Sequence, residues 1–271
     1  MFLNTHPKIS YGRNPIAEVV CQIRYSATTM IDYRPESRLS TELQKLGYVA
    51  RTVENQISIG VNISGGIANK ASQEENSVHH FKSDSNAYQA SISNDFFAIT
   101  STKYEGWGDF RRRIDALYVL LTDLIPDLAP TRVGLRYRDI IDRSVLALES
   151  DSNQWHTLIS PFLLGPLARP PIKTDESMGI DELDVAAFAM QSQIRLQDCW
   201  LILQSALLKA TDDTNRTAFL VDSDFFTEFE EQKKQISSSE LMVLLESLHG
   251  QAYGVFRNSI TEKLHHALDP R

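Results

Sequence analysis

Alternation of apolar and polar residues with a period of two is the feature that most constrains the fold of this 271-residue chain. It is clearest in IAEVVCQIRY, residues 16–25, whose apolar positions would all face one way: Ala17, Val19, Cys21, Ile23 and Tyr25. Successive side chains of a strand point to opposite faces of a sheet. The segment therefore predicts a strand that is buried on one face only.

Further segments extend this pattern along the first half of the chain. YVARTV and QISIGVNI predict two strands joined at Glu54-Asn55, and AYQASIS and FFAITSTKY predict two more joined at Asn94-Asp95. Asn and Asp favour tight turns, which supports the connection at Asn94-Asp95. SGGIANKASQEEN, residues 64–76, is polar and aperiodic, and we expect a loop there.

Helices are predicted where apolar residues recur every three or four positions instead of every two. From about Gly106 to Leu128 such residues form one stripe. RPESRLSTELQKLG predicts a shorter helix. SSSELMVLLESLHGQAYGVF begins with Ser237 and Glu240 in capping-box spacing. Ser259 and Glu262 repeat that spacing and predict a second helix start.

The second half of the chain resembles the first in outline. VAAFAMQSQIRL and CWLILQSALLKA predict paired strands, and TAFLVDSDFF predicts a third strand that runs into a helix, SDFFTEFEEQKKQ. A proline-rich segment, LGPLARPP, separates the halves. We therefore expect an α+β fold with two lobes, residues 1–145 and 146–271, each an antiparallel meander packed against helices. The second lobe would be a pseudo-repeat of the first.

Composition narrows the classes of function. The formal net charge of −8 and pI near 5.4 disfavour binding of nucleic acid over the whole surface. No segment approaches the roughly 20 apolar residues that span a bilayer. The two cysteines, Cys21 and Cys199, lie in apolar strand-like runs, which is typical of core residues in a reducing compartment. The sequence thus predicts a cytoplasmic protein without membrane contact.

Arginines line one side of the segment TRVGLRYRDIID, residues 131–142. Alternation places Val133, Leu135 and Tyr137 on the inner face, and Arg132, Arg136 and Arg138 on the outer face. Arg136 and Arg138 would lie about 7 Å apart by strand rise. Two guanidinium groups at that separation can clamp a phosphate, a carboxylate or an acidic partner helix.

Arg24 lies on the polar face of the first predicted strand and would join this arginine strip if the two strands are neighbours. The alternative is that the arginines pair with Glu18, Asp139 or Asp142 on an exposed sheet face. Basic residues interleaved with exposed aromatics would suit single-stranded nucleic acid. Here Tyr137 falls on the opposite face, so RNA binding is possible and not favoured.

Asp222 and Asp224 form a second candidate site at a predicted strand end. Two carboxylates in that position can hold a divalent cation for phosphoryl chemistry. The competing interpretation is that Asp224 or Ser223 caps the following helix. No histidine or cysteine spacing typical of metal ligands and no nucleophile motif is found in the sequence. We therefore expect no cofactor and lean against an enzyme.

Four segments in order resemble a sporadically distributed, functionally uncharacterised family of prokaryotic proteins: NPIAEVVCQIRY, SNDFFAITSTKYEGWGDFRRRI, TRVGLRYRDII and LHGQAYGVFRNSITEKL. The resemblance spans nearly the whole chain and implies a shared scaffold, without any catalytic residue. Patchy distribution implies an accessory gene, compatible with an antiviral defence or toxin–antitoxin module.

Three functional hypotheses follow. The first is a non-enzymatic interaction protein that recognises a protein partner or an anionic ligand through Arg24, Arg132, Arg136 and Arg138. The second is a metal-dependent hydrolase or nuclease that uses Asp222 and Asp224. The third is an RNA-binding module. The oligomeric state does not follow from these patterns.

Overall fold

The computed structural model describes residues 9–26, 31–64, 67–148, 154–168, 185–209, 216–229 and 235–271. Within them the α+β class is confirmed: one nine-stranded antiparallel sheet is accompanied by five helices. In chain order these elements are β1 Ile16–Tyr25, α1 Arg38–Lys45, β2 Tyr48–Ser64, β3 Ile67–Ser83, β4 Tyr88–Ile92, β5 Phe96–Ser101, α2 Trp107–Leu124, β6 Pro130–Asp142, α3 Trp155–Leu158, β7 Phe188–Arg195, β8 Trp200–Lys209, β9 Thr217–Glu228, α4 Ser238–Ser259 and α5 Glu262–Ala267. The strand order in the sheet is β2-β3-β4-β5-β1-β6-β9-β8-β7.

The region between residues 48 and 83 differs from its prediction. A turn at Glu54-Asn55 is wrong, because both residues lie inside β2 and pair with Val78 and Ser77 of β3. The loop predicted for residues 64–76 is also wrong, since β3 begins at Ile67; residues 65 and 66 lie outside the described part. Pairing along most of two long strands, interrupted by register shifts at Tyr48/Ala50 and Ile59/Val61, satisfies the backbone of polar residues that have no intrinsic strand preference.

Two helix starts test the capping predictions. At α4 the capping box is confirmed: the Glu240 amide donates to Ser237 Oγ at 3.2 Å, and the Ser237 amide donates to Glu240 Oε2 at 2.8 Å. The second helix start is confirmed, since α5 begins at Glu262, but the predicted box of Ser259 and Glu262 is wrong. Ser259 is the last residue of α4, and the N-cap of α5 is Thr261, whose side chain accepts a hydrogen bond from the Leu264 amide.

The helix predicted after TAFLVDSDFF is wrong where the structure describes it. β9 runs on to Glu228 and pairs with β8 without interruption, from Lys209↔Thr217 to Trp200↔Phe226. Phe219, Val221 and Phe225 of β9 are buried on one face. Strand pairing and burial of these apolar residues outweigh any helical preference of residues 223–228. Residues 230–234 lie outside the described part.

The chain divides into two compact units. One comprises Met1–Val19, Gly134–Thr227 and Val243–Arg271, and the other comprises Val20–Val133 and Glu228–Met242. Each unit thus combines stretches that are distant in sequence, and the division into lobes 1–145 and 146–271 stays a prediction. Among the described residues, no helix has the length and apolar character needed to cross a membrane.

Candidate interaction site: the arginine face

The arginine strip is positioned by strand alternation in β6, as predicted. Val133, Leu135 and Tyr137 are buried, whereas Arg132, Arg136 and Arg138 are half-buried on the opposite side of the strand. β9 is the sheet neighbour of β6. Its core side chains occupy odd positions, so its even positions, including Asp222 and Asp224, share the face of the arginines.

Arg136 is held by Asp222 through a bidentate ion pair. Arg136 Nε donates to Asp222 Oδ1 at 2.7 Å, and Nη2 donates to Oδ2 at 2.6 Å. The Asp222 side chain is only 4% exposed, whereas that of Arg136 is 41% exposed. The hydrogen bonds that Arg136 donates to Asp222 raise the pKa of Arg136, and the charges of Asp224 and Glu18 act in the same direction. A bidentate ion pair of this kind fixes the orientation of the guanidinium group as well as its position.

Arg138 belongs to the same network. Its Nε lies 3.4 Å from Asp222 Oδ2 without making a hydrogen bond, and its Nη1 donates to Glu18 Oε1 at 3.2 Å. The Arg138 side chain is 39% exposed. We call the set Glu18, Arg136, Arg138 and Asp222 the arginine face. All four residues belong to one compact unit.

Of the acidic partners considered for these arginines, Glu18 forms an ion pair with Arg138 in the described part of the chain. Asp142 accepts hydrogen bonds from Ser144. Asp139 lies on the core side of β6 and is 3% exposed. Burial, with a smaller contribution from the charge of Asp222, raises the pKa of Asp139 to about 8. Its carboxyl group is therefore neutral over most of the physiological pH range.

The four predicted arginines do not all lie in the same unit. Arg136 and Arg138 share the unit of Asp222, whereas Arg24 and Arg132 belong to the other. Arg24 is exposed near the end of β1. Arg132 is half-buried near the start of β6. The candidate site is therefore described by Arg136 and Arg138 alone.

Asp222 and Asp224 lie on the same face of β9, two residues apart, and do not cap a helix. Both carboxylate oxygens of Asp222 accept hydrogen bonds from Arg136. Within the described ranges, no group of three or more histidine, cysteine or acidic side chains is placed to hold a metal ion. A cation at Asp222 would have to displace a charge-assisted hydrogen-bonded arginine, which is costly.

The arginine face carries little net charge. Two arginines face two carboxylates, and including Asp224 makes the local sum −1. An isolated anion therefore gains little from long-range attraction to this surface. What the site offers is a pair of oriented donors, because the observed contacts leave Nη1 of Arg136 and Nη2 of Arg138 unused.

Apolar side chains continue this face onto β8. Residues 201, 203 and 207 are buried on the core side, and the alternate residues on the other side are half-buried. The register places Gln204 opposite Asp222 and Ile202 opposite Asp224. We define the apolar strip as the half-buried apolar residues of this face on β8 and β9: Trp200, Ile202, Ala206, Leu208, Ala218 and Leu220.

Sequence reasoning missed the link between Arg136 and Asp222, which are 86 residues apart. Arg136 was predicted to bind a partner and Asp222 to bind a metal ion. Strand alternation, which gives the face of each residue, was the only feature of the sequence that could have linked them. Comparisons add no assignment: no protein-family model matches the chain, and no curated protein is detectably similar to it in sequence.

Proposed function

We propose that this chain is a non-enzymatic interaction protein that recognises a protein partner through the arginine face and the adjoining apolar strip. The observation that carries the proposal is the anchoring of two part-exposed guanidinium groups by one buried carboxylate. Asp222 is 4% exposed, while the arginines that it holds are about ten times more exposed, at 41% and 39%.

Anchoring matters because binding costs conformational entropy. A free arginine loses rotamer freedom when it docks, at a cost of about 0.5–1.5 kcal/mol per side chain. Asp222 has already ordered Arg136, and Asp222 and Glu18 together restrain Arg138. The donors left on both guanidiniums are therefore presented in a set orientation to an incoming acceptor.

Charge balance favours a protein partner over a small anion. The local sum of charges is zero, or −1 with Asp224, so a free phosphate is weakly attracted. A protein surface can supply a carboxylate for the guanidiniums together with apolar side chains for Trp200, Ile202 and Leu208. Arginine beside aromatic and aliphatic residues is the composition typical of interface centres.

The setting of this function is part of the same proposal. The family resemblance supports an accessory prokaryotic module, of the antiviral defence or toxin–antitoxin type, in which such proteins act by binding others. Cys21 and Cys199 are free and buried, which supports a reducing compartment, and we place the protein in the cytoplasm. The arrangement as two lobes, each a meander packed against helices, likewise belongs to the proposal.

Substitution of Arg138 by alanine tests the arginine face. It removes one guanidinium while Asp222 keeps its bidentate bond to Arg136, so we expect a folded protein. Arg111→Ala is the matched control, because Arg111 is an exposed arginine on α2 and belongs to the other compact unit. Proteins co-purifying with each variant from the native host would be quantified, and the partner then purified for a direct titration.

We expect Arg138→Ala to weaken the purified complex about tenfold or more, whereas Arg111→Ala leaves its Kd unchanged. Equal affinity of all three proteins would overturn the proposal. Inorganic phosphate serves as the small-anion probe. The charge balance predicts that it does not raise the melting temperature, and a clear rise would favour an anionic ligand instead.

A further inference from the structure

β7, Phe188–Arg195, is the terminal strand in the sheet order. Within the described part of the chain, its single strand neighbour is β8, with which it pairs from Phe188↔Leu207 to Arg195↔Trp200. The side chains of Phe188, Met190 and Ile194 lie on the core face but are only half-buried. The apolar layer is therefore incomplete at this edge, as it would be if one more strand were to follow.

This edge lacks the features that usually block strand addition. FAMQSQIR contains no proline, lysine or acidic residue. Natural proteins place such residues on edge strands to prevent pairing with other chains. The one charged side chain, Arg195, is drawn over the ring of Trp200, with 5.5 Å between its Cζ and the ring centroid. Trp200 lies on β8, so that charge leans toward its own sheet and away from the open edge.

The sequence of β7 is complementary to itself in an antiparallel register centred on Ser192. Met190 would lie opposite Ile194 of a second copy on the core face, and Gln191 opposite Gln193 on the other face. Ser192 meets Ser192, and Ala189 meets Arg195. The two Arg195 residues lie about six residues apart along the strand, or about 20 Å by strand rise, so no like charges are opposed.

We propose that β7 pairs with β7 of a second copy of this chain and forms a two-fold symmetric dimer through a continuous sheet. The symmetry operation maps Met190 onto Ile194 and Gln191 onto Gln193, so like chemistry meets like at the centre of the interface, as a self-complementary interface requires. Cross-strand pairs of this kind add stability to the backbone hydrogen bonds of the new ladder. The interface uses the edge of β7 and no residue of the arginine face, although Ile202 of the apolar strip lies next to Gln193 on the neighbouring strand.

Charge substitutions at Gln191 and Gln193 test both the dimer and its register. Both side chains are exposed, and that of Gln191 makes only a solvent-exposed hydrogen bond with Gln204. Gln191→Lys/Gln193→Lys places lysine opposite lysine twice. We expect the dimer Kd, measured by sedimentation equilibrium, to weaken about tenfold or more relative to wild type. Circular dichroism checks that the variant folds.

Gln191→Glu/Gln193→Lys is the rescue variant. With the dyad at Ser192 it places glutamate opposite lysine twice, so dimerisation returns to the wild-type level or exceeds it. If the dyad lay at Gln191, the same variant would oppose glutamate to glutamate and the dimer would stay weak. That result would overturn the proposed register.

A second like-charge variant keeps the test decisive if the lysine variant folds poorly. Gln191→Glu/Gln193→Glu repeats the repulsion with the opposite sign, and we again expect loss of the dimer. Mixing it with the lysine variant should give a mixed dimer by native mass spectrometry. A wild-type protein that stays at the monomer mass of 30.6 kDa at every concentration, or a dimer indifferent to these charges, refutes the proposal.

Discussion

Asp222 illustrates how the burial of one side chain sets the role of its neighbours. Its carboxylate is almost fully covered, and it accepts two short hydrogen bonds from Arg136. A buried carboxylate without such a partner pays the full cost of desolvation. Arg136 is therefore a structural necessity for Asp222 as well as a candidate contact for a partner, and the two arginines of the site are not equivalent.

Arg136→Ala should lower the free energy of unfolding by about 2 kcal/mol, because it leaves Asp222 buried and charged while part of the pair remains near solvent. Arg136→Ala/Asp222→Ala should lose less than the two single variants together. The measurement is a denaturant-unfolding double-mutant cycle. A coupling energy near zero would show that the pair is not coupled as the geometry requires.

Asp139 makes stability depend on pH. Its unfolded carboxyl group ionises near pH 3.8, whereas burial keeps the folded group protonated up to about pH 8. As pH rises from about 4 to 8, Asp139 loses its proton in the unfolded state but keeps it in the folded state. The free energy of unfolding therefore falls over this range and levels off above pH 8.

The side chain of Asp139→Asn cannot ionise in either state, so the stability of this variant should not fall with pH through this group. We expect the melting temperature of the variant, relative to that of wild type, to be higher at pH 8 than at pH 4 by about 10 °C. The comparison is made by thermal unfolding of both proteins across that range. A constant difference between them at every pH would mean that Asp139 is not the titrating group.

At the scale of elements, predictions from the sequence were confirmed where the interacting residues lie within one or two helical turns of each other. The α4 capping box forms because both partners lie within one helical turn. The apolar stripe of α2 likewise predicted its buried face, including Phe110, Ile114 and Leu117. The turn at Glu54-Asn55 and the loop at 64–76 failed because a pairing partner elsewhere in the chain overrode weak local preferences.

Ser237→Ala should cost about 1 kcal/mol of unfolding free energy, because it removes the side-chain oxygen that accepts from the Glu240 amide. The control is Ser247→Ala, at an exposed position inside α4, where alanine favours the helix. Urea unfolding of the two variants should give opposite or clearly unequal shifts. Equal losses would argue against a specific cap.

At the scale of the whole molecule, charge pairing bears on the enzymatic alternative. Both Asp222 oxygens are occupied by Arg136, so millimolar Mg²⁺, Mn²⁺ or Ca²⁺ should leave the melting temperature unchanged. A ligand that binds only the folded state raises that temperature by mass action. A rise with one of these ions that is abolished in Asp224→Asn would revive the metal-dependent hydrolase.

The sequence by itself determined the α+β class, the strand character of residues 16–25 and 130–142, and the face of β6 that carries Arg136 and Arg138. These follow from periodicity, which depends on neighbours a few residues away. Only the tertiary structure decided the strand order, the continuation of β9 to Glu228 and the pairing of Arg136 with Asp222. Each of these depends on residues far apart in the chain, and loop closure brings them together without leaving a local pattern that could be read in advance.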